Sequence, residues 1–430
     1  MRGPRQCRGA AGAAATGPVT DAAHRAAERA ARESYGRLVA WLAYRWRDLA
    51  AAEDALSDAF GSALRHWPRN GVPDSPEAWL MAAAQRQLLQ VARHRRVEDD
   101  PRNTAVLEPD RWAPDLPAGL PDERLKLMFV CAHPALPAAV HAPLMLQAVL
   151  GLEARHIASA FLVSPAAMAQ RLVRAKARIR EAGLRFEVPE GAELAQRLSA
   201  VLESLYGAYS IGSHTALQGP DVAQGLLISE LTGEALYLTR LVVSLRPDSA
   251  EANGLLALML YCEARRPAQF DTAGCFVPLA DQDPLCWRRD LIDEAEATLR
   301  SASRLRQPGH FQLEAAIQSA HCQRAFTGQT PWRAVAALYQ ALVEHFPSAG
   351  AHIGHAVALA ETGQVQAGWD RLEALQADAV ARHQPYWVAR AHLGRRLGRH
   401  DEAALALDRA IGLTEDPRVR DHLLRARAGA

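Results

Sequence analysis

His352-Ile353-Gly354-His355 is a run whose residue types could handle ATP phosphates. That chemistry needs a strand before the histidines to aim them and a lysine-rich loop to hold the phosphates. The run sits instead in an Ala/Leu-rich helical pattern, and the chain's lysines are Lys126 and Lys176 alone, so no catalytic role is expected of it. Cys131, His133 and His156 could ligate a metal, but a buried thiol and a helix-end histidine account for them more simply. No P-loop, H-E-x-x-H or G-x-S-x-G occurs, and neither enzymatic chemistry nor a cofactor is expected. What residue types and spacing do support is electrostatic: between Pro165 and Arg185 stand six basic residues and one acidic, a charge density suited to phosphate backbone.

The elements that must position these cations are two helices joined by a tight turn, over Gly151 to Arg180. Ile157, Ala158 and Phe161 share one face of the first helix, Leu162-Val163-Ser164 forms the turn, and Ser164-Pro165 supplies an N-cap and a first-turn proline for the second. At about 100° per residue, Met168, Leu172, Ala175 and Ile179 share the inner face of that second helix. Arg171, Arg174 and Arg178 line one flank, Lys176 and Arg180 the other, and Ala166, Ala169, Gln170 and Val173 point outward. Such a helix fits a major groove, with guanidinium groups on phosphates and Gln170 and Arg174 as candidates for base edges. An ordinary solvated helix is the alternative.

The chain has 430 residues, 49% of them hydrophobic, enough for two or three domains with sizeable cores. Lys and Arg number 49 against 48 Asp and Glu, so nucleic-acid affinity has to come from local patches rather than net charge. The six cysteines contain no C-x-x-C pair, which suggests neither a disulfide framework nor a zinc ribbon and fits a reducing cytoplasm. No apolar run approaches the ~18 residues of a membrane span, and the first thirty residues lack the apolar middle of a signal peptide; they read as a loose, disordered tail.

Three helices are expected next, near Ala22–Arg47, Ala50–His66 and Pro76–Arg96. The second displays Glu53, Asp54 and Asp58 with Phe60 nearby, an acidic surface suited to a basic partner. Pro68 to Pro76 reads as a stiff polar loop bracketed by Trp67 and Trp79. Residues 98–121 hold five prolines, six acidic residues and two basic ones without periodicity, which predicts an extended acidic linker. Beyond Pro189 the chain is Ala/Leu-rich and amphipathic. Gly363 and Gly398 lie 35 residues apart and Pro347 and Pro417 lie 70 apart, near multiples of a 34-residue period, so paired helices stacked as a solenoid are expected.

AEDALSDAF, RHWPRNGVPDSPEAWL, DERLKLMFVCAHPALP and FLVSPAAMAQRLVRAKARIREAGLRFEVP, in this order, resemble bacterial RNA polymerase sigma factors of the extracytoplasmic-function type. GLLALMLYCEARR followed by LADQDPLCWRRDLI narrows the resemblance to the subgroup with a long C-terminal helical-repeat extension. The resemblance implies an all-α chain with five parts: a tail over 1–30, sigma region 2 over 31–97, a linker over 98–121, a helix-turn-helix region 4 over 122–186, and a tetratricopeptide-like solenoid over 190–430. It implies that Glu53, Asp54, Asp58 and Phe60 grip core RNA polymerase at the β′ clamp, with a further contact to the β flap. Arg69 and Asn70 in the Pro68–Pro76 loop, with Gln85, Arg86, Gln90 and Arg93 beyond it, would face the promoter −10 element, where a base is extruded into a pocket. Ala166, Ala169, Gln170, Arg171, Arg174, Lys176 and Arg178 would read the −35 element.

Relatives carry an Arg-Asn pair and a later Asp where this chain has Gln85, Arg86 and Gln90, and a Thr/Ser–Glu capping box where it has Glu153 and His156. A regulatory partner on the repeats is expected, with Asp281 to Ile292 around Trp287 as the candidate docking surface; a buried Trp with solvated charges is the alternative. A repeat-based adaptor or a DNA-binding regulator that no longer engages polymerase is the competing function.

Overall fold

The computed structural model describes residues 18–99, 123–161, 163–215 and 222–428. Among them the chain is all-helical, with one isolated bridge between Phe270 and Phe276. It divides into two compact units, Met1–Arg197 and Leu198–Ala430.

The first unit contains α1 (Pro18–Trp46), α2 (Leu49–Asn70), α3 (Pro76–Asp99), α4 (Arg124–Cys131), α5 (Ala138–Leu150), α6 (Ala154–Ala160) and α7 (Pro165–Glu181), and it ends inside α8 (Gly191–Thr215). α1 packs against α2, α3, α4 and α5, and α2 lies between α3 and α7. Leu38, Leu42, Leu49, Leu56, Leu80 and Met81 are fully buried, each contributing about 2 kcal/mol of apolar burial. Gly36 lets α1 and α5 meet backbone to backbone, since a methyl group there would run into the Val149 carbonyl. Glu77, in the first turn of α3 where a carboxylate suits the helix dipole, accepts from Ser34 and from Arg37 at 2.5 Å, fastening α3 to α1.

Three expected boundaries differ. Residues 18–30, where the expected tail overlaps the helix expected near Ala22–Arg47, are helical from Pro18, with Ala23, Ala26, Ala27 and Ala30 recurring at helical spacing and buried; residues 1–17 lie outside the described residues. The expected loop from Pro68 shrinks to residues 71–75. Pro68 stands in the last turn of α2, where the one i→i−4 bond its missing N–H forgoes lies close to the helix end, and Gly71 closes the helix at φ +85°, its N–H donating to the Trp67 carbonyl. α3 runs to Asp99, past the expected start of the linker, and residues 100–122 lie outside the described residues.

The second unit takes up α8 and continues through α9 (Val222–Leu245), α10 (Ala250–Arg265), α11 (Arg289–Arg304) and α12 (His310–Cys322). α10 is its axis, buried along nearly its whole length between α9, α11 and α12. Glu251 caps α12 from outside, accepting from the backbone N–H groups of Phe311 and Gln312 at 3.1 Å each. After α13 (Arg324–Thr327) come helical hairpins: α14 (Trp332–His345) on α15 (Ala349–Glu361), α15 on α16 (Val365–Glu373), and, after α17 (Ala377–Val380), α18 (Gln384–Arg396) on α19 (His400–Leu413), with α20 (Pro417–Ala428) closing on α19. Gly363 and Gly398 sit at φ +96° and +74° in the α15–α16 and α18–α19 turns, so the 35-residue spacing marks equivalent helix ends. Trp369 fills the core shared by α15, α16 and α18, with Arg390 and Arg399 over its ring at 4.4 and 4.7 Å.

Two motifs resolve here. His352 and His355 lie within helix α15, His355 being buried, with no strand before them among the described residues. Trp287, offered as a docking residue, is instead buried: its indole N–H donates to Gln282 at 3.2 Å and Arg324 covers its ring at 5.1 Å. The segment's exposed apolar side chain is Leu285, 92% exposed.

Candidate polymerase and nucleic-acid interface

α7 forms because Ser164 accepts from the Ala167 N–H at 3.3 Å and Pro165 occupies the first turn, where its missing N–H costs nothing. Met168, Leu172, Ala175 and Ile179 are buried as their spacing requires. The opposite side carries Ala166, Ala169, Gln170, Arg171, Arg174 and Arg178, all exposed, with Val173 63% exposed among them. Small side chains, one amide and three guanidinium groups thus share one solvent face, able to hold phosphates and approach base edges. α6 supports it with Ile157 and Ala158 buried. No capping box closes its start: Glu153 pairs with Arg155 at 2.9 Å, and Arg155 also donates to His156.

α2 presents a second surface. Asp48 caps the helix, accepting from the Ala51 N–H at 3.1 Å. Asp54 and Asp58 are exposed, and with Asp48, Gln87, Leu88 and Arg180 they line a groove of about 180 Å³ between α2 and α3. Gln87 donates to Asp58 at 2.9 Å, setting that carboxylate against α3. Phe60, two residues further along α2, is half-buried. The groove is acidic with apolar walls, the arrangement that receives a basic helix surface.

Glu53 and Lys176 do not lie where the sequence pattern places them. Glu53, expected on the outward acidic face, is 7% exposed, and Lys176, expected on phosphate, pairs with it at 2.6 Å, their side chains 9% and 14% exposed. The physical reason is position: Glu53 adjoins the inward Ala52, Leu56, Ala59 and Ala63 stripe of α2, and α7 covers that edge. Burial raises the Glu53 carboxyl above the usual carboxylate range, with Lys176 opposing the shift and Asp54 adding to it. Tyr35 is raised in the same way, chiefly by burial and then by Glu53 and Asp54. Arg180, on the same side of α7, stands 4.0 Å from Asp48.

The turn between α2 and α3 brings Trp67 and Trp79 together edge to face at 5.6 Å, with His66 against Trp79 at 6.2 Å. Arg69, Asn70, Arg86 and Gln90 are exposed, and Gln85 is half-buried. Arg93 lies within α3, its side chain outside the described residues.

Cys131, His133 and His156 have the ordinary surroundings expected of a buried thiol and hydrogen-bonded histidines. Cys131 is fully buried and its thiol pushed up by burial, His133 accepts from the Ala135 N–H at 3.0 Å, and His156 accepts from Arg155. Sequence reasoning missed Arg197. Its guanidinium donates to the Phe129 carbonyl at 2.7 Å and to Glu193 at 3.0 Å, tying the start of α8 to α4. The i,i+4 spacing from Glu193 was the available signal.

Residues 32–97 match the sigma-70 region 2 family, and residues 197–303 match a family of unknown function designated DUF6596. An uncharacterised protein of Rhizobium meliloti (strain 1021) is 38% identical over 380 residues, covering 86% of this chain and 87% of that protein. No solved structure matches. No helix among the described residues is long and apolar enough to cross a membrane. Sigma-70 region 2 binds core RNA polymerase and promoter DNA, and its family consists of non-enzymatic transcription factors. The chain therefore belongs to one family with the Rhizobium protein, and by its region 2 it is a member of the sigma-70 family.

Proposed function

We propose that this chain is a sigma factor of the extracytoplasmic-function type: it docks on core polymerase through α2, engages the −10 element through the α2–α3 turn and α3, and reads the −35 element through α7. The observation that carries the reading is the solvent face of α7, where Arg171, Arg174 and Arg178 flank Ala166, Ala169 and Gln170 on a helix capped by Ser164. In this reading Asp54, Asp58 and Phe60 form the docking edge for the β′ clamp, the region containing α4 to α7 also meets the β flap, and the α14–α20 hairpins are tetratricopeptide-like repeats that receive a regulatory partner.

A polymerase-free adaptor or regulator would need neither the acidic groove of α2 nor the paired tryptophans of the turn. Transcription in vitro with purified core polymerase on genomic DNA separates the two. Discrete transcripts that depend on the added chain support the proposal. DNA binding without transcripts or core association would leave the regulator.

A further inference from the structure

One concentration of positive charge is used neither by the solvent face of α7 nor by the groove between α2 and α3. The end of α1, the start of α4 and the segment 182–190 after α7 converge on a cavity of about 560 Å³. Four cations line it, Arg45, Arg47, Lys126 and Arg185, against one carboxylate, Glu187. We propose that this cavity binds a small molecule carrying two or more phosphate groups. The site lies within the first unit and does not rest on the initiation-factor reading.

The backbone at Arg47 is the first reason. Arg47 follows the last residue of α1 at φ +53°, its N–H donating to the Ala43 carbonyl at 2.8 Å. Helices commonly end on a left-handed residue, and that residue is usually glycine because a Cβ is disfavoured there. This chain follows that rule at Gly151, Gly363 and Gly398. An arginine in the same conformation is strained, and strained residues cluster at ligand clamps. A cation also suits a helix C-terminus, but Arg45 in the last turn of α1 already meets that preference. The strain at Arg47 is therefore accounted for by where its guanidinium stands, at the wall of the cavity.

The charges themselves are the second reason. They come from three separate elements, so the fold brings them together rather than one basic run. Lys126 is fixed between Glu123 at 2.6 Å and the Tyr44 ring at 4.2 Å. Arg47 and Arg185 are exposed and make no ion pair among the described residues. Like charges gathered with little counter-charge raise the local potential and favour an anion, and guanidinium groups match phosphate oxygens through paired N–H donors. The volume is that of a small-molecule site and exceeds what one phosphate fills, with Tyr44 and the buried Phe186 as its apolar wall. A duplex fits less well, because its phosphates lie along a convex rod whereas these cations surround a concavity.

The test is isothermal titration of the full chain with inorganic tripolyphosphate and with ATP, without divalent metal, at ~50 mM salt so that screening is weak. Saturable binding of both probes at one site per chain is expected. Arg47→Gly and Arg185→Gln should each weaken it about tenfold, the effect of losing one charge-assisted hydrogen bond. Arg47→Gly also relieves the positive φ, so its thermal midpoint should hold or rise, which separates lost binding from lost folding. Arg306→Gly is the control: Arg306 has the same backbone strain at φ +54° but lies in the second unit, and its binding should match the wild type. No saturable binding of either probe, or equal weakening by Arg306→Gly, overturns the proposal. Binding of a duplex without promoter sequence is measured beside it. If Arg47→Gly and Arg185→Gln weaken the duplex as much as tripolyphosphate, the cavity serves a nucleic-acid backbone and the small-molecule site is refuted.

Discussion

Replacing Arg171, Arg174 and Arg178 together by alanine should flatten the salt dependence of promoter binding by close to three phosphate contacts. All three are exposed on α7, while Met168, Leu172, Ala175 and Ile179 face the core, so the fold should shift by no more than about 0.5 kcal/mol per site. Each phosphate contact contributes about 0.9 to the slope of log K against log salt, so a rise from ~50 to ~200 mM costs about 3.5-fold per contact and about 40-fold for three. The wild type should therefore lose roughly 40-fold more affinity than the triple variant across that range. Fluorescence anisotropy of a labelled promoter duplex, titrated with holoenzyme at several salt concentrations, measures this directly. A triple variant that binds more weakly but keeps the wild-type slope would show that these guanidinium groups do not meet phosphate, and α7 would lose its assigned orientation.

Asp58→Arg combined with Phe60→Ala should weaken core polymerase binding at least tenfold in a pull-down or by light scattering while leaving the helical content unchanged, since one is exposed and the other half-buried. Ser164→Ala should cost about 1 kcal/mol in thermal unfolding, because it removes the acceptor for the Ala167 N–H. His321 is held down to about 4, first by burial and then by Arg265 and Arg324. Its folded state thus binds fewer protons than the unfolded state, so stability is intact above ~6.5 and falls by up to about 3 kcal/mol toward pH 4; urea melts should show His321→Gln flattening that limb. Truncation after Pro189 should abolish transcription if the repeats order the DNA-binding regions, and Arg197→Ala in the full chain is its control. If that variant loses as much, the loss reflects the missing Phe129 contact rather than the repeats.

Helix positions and inner faces were legible in the sequence because they depend on local rules. The Ser164-Pro165 start, the buried Met168–Ile179 stripe and the glycine turns at 363 and 398 each follow from spacing within one helix or one turn. Boundaries that depend on tertiary packing were not. Pro68 reads as a breaker until its place in a final turn is known, and the alanines at 23, 26, 27 and 30 combine the composition of a tail with the spacing of a helix until burial decides. Trp287 was ambiguous because a Trp among charges suits a surface or a core equally, and only Gln282 and Arg324 decide for the core. Glu53 illustrates the same limit in one residue. Its charge argues for the surface, its place next to Ala52 argues for the edge of the core, and its partner lies 123 residues away.

Successive turns of α2 meet different neighbours, and this orders how a partner could approach it. Near its start, Asp48 stands by Arg180 and Glu53 is taken by Lys176, so α7 occupies that half. Farther along, Asp58 accepts from the neutral amide of Gln87 and remains exposed, and Phe60, two residues on, is half-buried. A cationic surface therefore gains its first contact at Asp58, where it displaces no charge, and meets competition from α7 only as it advances toward Asp48. A cation adds Coulomb attraction that a neutral amide lacks, so Asp58 gains by exchanging Gln87 for a cation, whereas Asp48 merely exchanges one cation for another. On this ordering, substitutions at Asp58 should act mainly on the initial association of polymerase, and substitutions at Lys176 and Arg180 on the step that follows.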